Sequence, residues 1–189
     1  MEKVDLELVI QQTIARFTQN RIGVRPLVFV MISPSISQLA WSDGSLQEFV
    51  RLFLYEALLS SNPDAAVEVL LRRRAELKDI NDFVGVHPSY WVQLRVSGRG
   101  LKRSEPLIED IFAGVGYRLE EWVGVDNSDT RLGIFGPKNN GGAKLVICLE
   151  SRRDTLKCDL LMPVFECATD FAANSAAQSS TASHSRCSQ

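Results

Sequence analysis

The stretch Ser45 to Ser61, SLQEFVRLFLYEALLSS, limits what this chain can fold into more than any other. Ser45 followed three residues on by Glu48 is a capping box, which satisfies orphan donors at a helix start. Leu46, Phe49, Val50, Phe53, Leu54, Ala57 and Leu58 recur at helical spacing. Leu52, Tyr55 and Leu59 occupy the other side, so the helix is apolar nearly all round and must be touched by neighbours on several sides. It is too short, and with Glu48, Arg51 and Glu56 too charged, to span a bilayer. The segment is therefore the centre of a core.

A chain of 189 residues with 45% apolar content suits one domain with a sizeable core. Its net charge of −2 excludes a generally basic, nucleic-acid-coating surface but leaves room for a local basic face. The opening MEKVDLELV carries acids where a secretory signal carries positive charge, and no apolar run reaches membrane-spanning length, so a cytoplasmic protein is expected. Cys148, Cys158, Cys167 and Cys187 form no CxxC pair, and with only His87 and His184 beside them no metal site is expected.

Taken in order, residues 4 to 19 read as a helix with Val9, Ile10, Ile14 and Phe17 on one stripe. Leu27 to Ile32, LVFVMI, reads as a short buried strand. Residues 33 to 44 read as a loop or broken helix. Asn62-Pro63-Asp64 has the chemistry of a helix start, and predicts a helix to about Lys78. With so short a connection, it should form an antiparallel hairpin with the central helix. From Trp91 the period changes to two: Val92, Leu94 and Val96 alternate with Gln93, Arg95 and Ser97, as in a half-buried strand. A helix follows from Ser104, with Ile108, Ile111 and Phe112 inward. Strands are then predicted over 117–125, where Glu120-Glu121 interrupts the alternation, and over 131–135, 144–150 and 155–162.

The expected architecture is α+β: a helical N-terminal half packed on a mostly antiparallel C-terminal sheet of four to five strands. Residues 1–167 form the domain, helical over 1–86 and strand-rich over 87–167. Residues 168–189 are rich in Ser and Ala and poor in charge and large apolar groups, and should be a disordered tail.

Arg95, Arg99, Lys102, Arg103, Arg152 and Arg153 are the candidate binding residues. The junction Ser97-Gly-Arg-Gly-Leu-Lys-Arg-Ser104 joins a strand to a helix start, a setting that suits a phosphate or carboxylate. It lacks the spacing of a phosphate-binding loop, and Glu105, Glu109 and Asp110 already serve the helix start, so an ordinary solvated turn is the plainer reading. Arg72-Arg73-Arg74 reads as a solvated helix end. His87 has no nucleophile context and reads as a structural loop histidine. Cys148 and Cys158 should face each other across neighbouring strands as two core thiols.

No catalytic constellation, metal spacing or cofactor loop is present, so neither a catalytic residue nor a cofactor is expected. These negatives favour a non-enzymatic cytoplasmic module that binds a protein partner, as an adaptor, assembly factor or regulator. The alternatives are a nucleic-acid-binding regulator using a basic sheet face and the 97–103 loop, and an enzyme or small-ligand binder with a site between helices and sheet.

Overall fold

The computed structural model describes residues 2–20, 23, 26–33, 36, 38–41, 45–75, 77–99, 105–125, 129–138, 143–152 and 155–165. The expected tail therefore lies outside the described residues. The elements run β1 (Glu2–Asp5), α1 (Leu6–Asn20), β2 (Leu27–Ile32), β3 (Gln38–Trp41), α2 (Ser45–Leu59), β4 (Ala66–Arg74), α3 (Lys78–Val84), β5 (Tyr90–Arg99), α4 (Glu105–Gly114), β6 (Tyr117–Gly124), β7 (Thr130–Pro137), β8 (Leu145–Arg152) and β9 (Thr155–Val164). One sheet has seven strands in the order β2-β4-β5-β9-β8-β7-β6, and β1 pairs with β3 in a separate two-stranded sheet.

The α+β class stands, with two corrections. The sheet has seven strands rather than four to five, because β2 and β4 of the N-terminal half join it. It is mostly antiparallel, as expected, with β2 running parallel to β4 and the pairs from β4 onward antiparallel. The helix predicted over 62–78 is strand β4 instead. Asn62 does accept the Asp64 N–H at 3.1 Å, but this closes a turn and not a helix. Val67, Val69 and Leu71 then alternate into the core, a period-two pattern that tertiary burial rewards over local helix signals.

The sheet separates two apolar layers. On its inner face lie α1, α2 and α4, and Phe49, Phe53, Phe112, Val92, Leu94, Val96, Ile147 and Leu160 are all fully buried there. Phe112 sits at the centre, its ring 3.6 Å from that of Phe135 and 4.3 Å from that of Phe49. A smaller cluster on the outer face holds Trp91, Val84, Val86, Ile134, Val146 and Leu161, under α3. Trp91 donates its indole N–H to Asn81 Oδ1 at 2.7 Å, which joins α3 to β5. The expected break in β6 is real: its pairing with β7 shifts register between Leu119 and Glu121.

Candidate functional site

The outer face of the sheet carries a polar ladder beside its apolar cluster. Arg72 Nε donates to Gln93 Oε1 at 2.7 Å, and Gln93 Nε2 donates to Asp159 Oδ2 at 2.6 Å. Arg95 meets Asp159 with both arms of its fork, Nε to Oδ1 at 2.6 Å and Nη2 to Oδ2 at 2.8 Å. The hydrogen bond that Arg95 donates to Asp159 raises the guanidinium pKa against the opposing effect of burial. Lys157 and Glu150 pair in the neighbouring row at 3.4 Å. Arg95, a candidate binding residue, is thus held by a buried carboxylate and serves the sheet.

The remaining candidates divide. Arg99 is exposed at the end of β5, and Arg152 lies in β8; both are opposite Thr155, so the register brings them to the same end of the sheet. Lys102, Arg103 and Arg153 lie outside the described residues. Arg99 lines a cavity of about 520 Å³ with Asn62, Asp64, Glu68, Ser97 and Thr155. Two carboxylates against one guanidinium make this a poor anion site. Arg72 to Arg74 are on a strand and not a helix end; Arg73 lies 3.9 Å over the Tyr90 ring. Cys148 and Cys158 do not face each other. Cys148 is opposite Asp159 and Cys158 opposite Leu149, so adjacent pairing rows turn the two thiols to opposite faces.

A site that sequence reasoning missed lies between α1 and α2. The space between helices and sheet is filled by the aromatic core, but the solvent side of the helix pair is hollowed. One cavity of about 800 Å³ is lined by Gln12, Thr13, Arg16, Gln19, Gln47, Glu48 and Arg51 among others. A second, of about 470 Å³, shares Thr13, Arg16 and Arg51 and continues to Asn20, Leu52, Tyr55 and Glu56. Thr13 is buried beneath both, its hydroxyl donating to Val9 O at 2.7 Å. Arg51 forks onto Glu48, with Nε to Oε2 at 2.9 Å, and this hydrogen bond holds the Glu48 pKa below its ordinary value. Arg16 adds a weaker pull on the same carboxylate. Tyr55 is fixed edge-on against Phe17, with centroids 6.1 Å apart. The signal in the sequence was the polar stripe of α1, Gln12, Arg16 and Gln19, which alone reads as a solvated helix face.

No protein-family model matches the chain, and no curated protein matches it in sequence. Among solved structures, the catalytic domain of the histidine kinase ThkA superposes with a TM-score of 0.50 at 10% identity, covering 87% of this chain and 97% of that one. A second ThkA structure matches with a TM-score of 0.50 at 9% identity, covering 87% and 99%. Both are nucleotide-free forms. The mycobacterial sensor histidine kinase MprB matches with a TM-score of 0.44 at 15% identity, covering 87% and 97%. The chain therefore has the fold of a histidine kinase catalytic domain over nearly its full length. The expectation of a non-enzymatic protein-binding module is corrected by this likeness: it rested on missing motifs, whereas the solved structures that share the fold are catalytic domains.

Proposed function

We propose that the chain is an enzyme or small-ligand binder whose ligand is of the nucleotide class, taken up in the cleft between α1 and α2. The observation that supports it most is the fold, shared over nearly the whole chain with a catalytic domain that has a nucleotide-free form. The cleft supplies matching chemistry. Its volumes lie within the roughly 300–1,000 Å³ of small-molecule sites. Arg16 offers a guanidinium fork, the geometry that suits phosphate oxygens, beside an Arg51 that is held on Glu48. Gln12, Gln19 and Gln47 add neutral donors on the same side. Leu52 and the rigid Tyr55 ring form an apolar shelf for a base, with the Glu56 carboxylate beside it to accept from amino or hydroxyl groups.

The test is calorimetric titration with ATP, ADP and inorganic phosphate at two salt concentrations. ATP or ADP should bind, more weakly at high salt, and phosphate alone should bind far less. Arg16→Glu should weaken binding by at least about tenfold without loss of fold, since Arg16 is exposed on a helix surface. No binding of either nucleotide at millimolar concentration would refute the proposal. Binding lost on Arg99→Glu but kept on Arg16→Glu would place the ligand at the strand-end cavity instead.

A further inference from the structure

We infer that β2 is a self-association edge: two copies of this chain pair through it in antiparallel fashion, about a two-fold axis at Val30. β2 is the first strand of the seven-stranded sheet and pairs only with β4 among the described residues. Far from being the buried strand its composition predicts, it leaves Leu27 63%, Phe29 51%, Val30 41% and Met31 53% exposed. Edge strands are ordinarily protected from pairing by charge, proline or a bulge. LVFVMI has no charged residue and no proline between its ends.

The backbone sets the register. Ser33 N–H donates to Leu71 O on β4 at 2.9 Å. Backbone groups alternate along a strand, so those of Phe29 and Met31 also point at β4, and those of Val28, Val30 and Ile32 point out of the sheet. Only pairings that oppose outward residues to outward residues use these groups. A two-fold at Val30 does so for all three: Val30 meets Val30 of the second copy, and Val28 meets Ile32 in both directions. Each such pair exchanges two hydrogen bonds. The same register keeps the outer faces on one side and sets Phe29 against Met31 of the second copy.

A second copy is the occupant because the strand is matched to itself. Around Val30 it is flanked by Val28 and Ile32 on the inner side and by Phe29 and Met31 on the outer side, with no charge to repel at the axis. Four partly exposed side chains, Leu27, Phe29, Val30 and Met31, are too few to supply the roughly 800 Å² that each partner buries in a standard interface. The expected product is accordingly a dissociable dimer, in the micromolar range.

Sedimentation velocity on the full chain, over a concentration series through the micromolar range, tests this. Wild type should shift from monomer to dimer with concentration. Val30→Pro removes one outward N–H and no bond to β4, so it should stay monomeric with an unchanged circular dichroism spectrum. Phe29→Lys should do the same by placing charge in the stripe. Val30→Cys should form a disulfide-linked dimer under mild oxidation, and Leu27→Cys, which does not meet itself in this register, should not. A wild type that remains monomeric throughout overturns the inference, as does a dimer that survives Val30→Pro. If a variant loses its fold, the cysteine pair decides: cross-linking at position 30 alone supports the register, and equal or absent cross-linking at both positions refutes it.

Discussion

Along β5, Val92, Leu94 and Val96 turn toward the helices and are fully buried, while Gln93, Arg95 and Ser97, one step along, turn to the outer face. Both rows lose most of their water, yet by opposite means. The inner row is held by contact with α2 and α4, where burial scales with apolar area and is indifferent to direction. The outer row is held by directed bonds, in which Gln93, 4% exposed, and Asp159, 7% exposed, keep their polar atoms satisfied through Arg72 and Arg95. One sheet thus combines a face that tolerates volume-conserving apolar swaps with one that tolerates little change of chemistry.

The largest effect expected is on the inner face. Phe53→Ala should cost about 3–5 kcal/mol, a large share of a domain's stability, because Phe53 is fully buried at the middle of α2. Urea denaturation measures it, and a wild-type midpoint would break the contrast by showing that the inner layer is loosely packed. On the outer face, Asp159→Ala should cost about 2–3 kcal/mol by orphaning Gln93 and the Arg95 fork. The Arg95 side chain is 26% exposed, so water recovers part of the loss. Adding Arg95→Ala should then cost less than it does alone; additive losses would show that the pair is not coupled.

The smallest expected effect is chemical. Cys148 sits on the outer face beside Asp159, and burial, helped by nearby acids, pushes its thiol up to about 12 from an ordinary value of 9.0. At pH 8 it should be alkylated far more slowly in the folded protein than in urea, as read by peptide mapping. The sign for stability follows from the raised value: the neutral thiol's contribution is complete below about pH 9 and is lost as pH climbs toward 12. Equal labelling of Cys148 in the folded protein and in urea would show that the outer face is open to reagent.

Much of this structure was legible in the residues. The Ser45 helix, the alternation after Trp91, the helix after Ser104 and the strands over 117–162, apart from the break at Glu120-Glu121, carry the period that a buried face imposes. Residues 62–74 and 27–32 were not legible in that way. Asn62-Pro63-Asp64 is valid local chemistry for a helix start, and only a free partner position beside β5 and β2 makes β4 a strand. LVFVMI reads as a strand with equal force in the middle of a sheet or at its edge, because composition records affinity for a strand and not the number of neighbours. The α1–α2 cleft was hidden for the same reason. Arg16 and Arg51 are far apart in sequence, and each alone is a solvated helix charge. Period and capping are local, so the chain's own order determined them. Which strand ends a sheet, which charge finds a buried carboxylate and which two helices leave a cleft are relations between distant residues, and tertiary packing alone decided them.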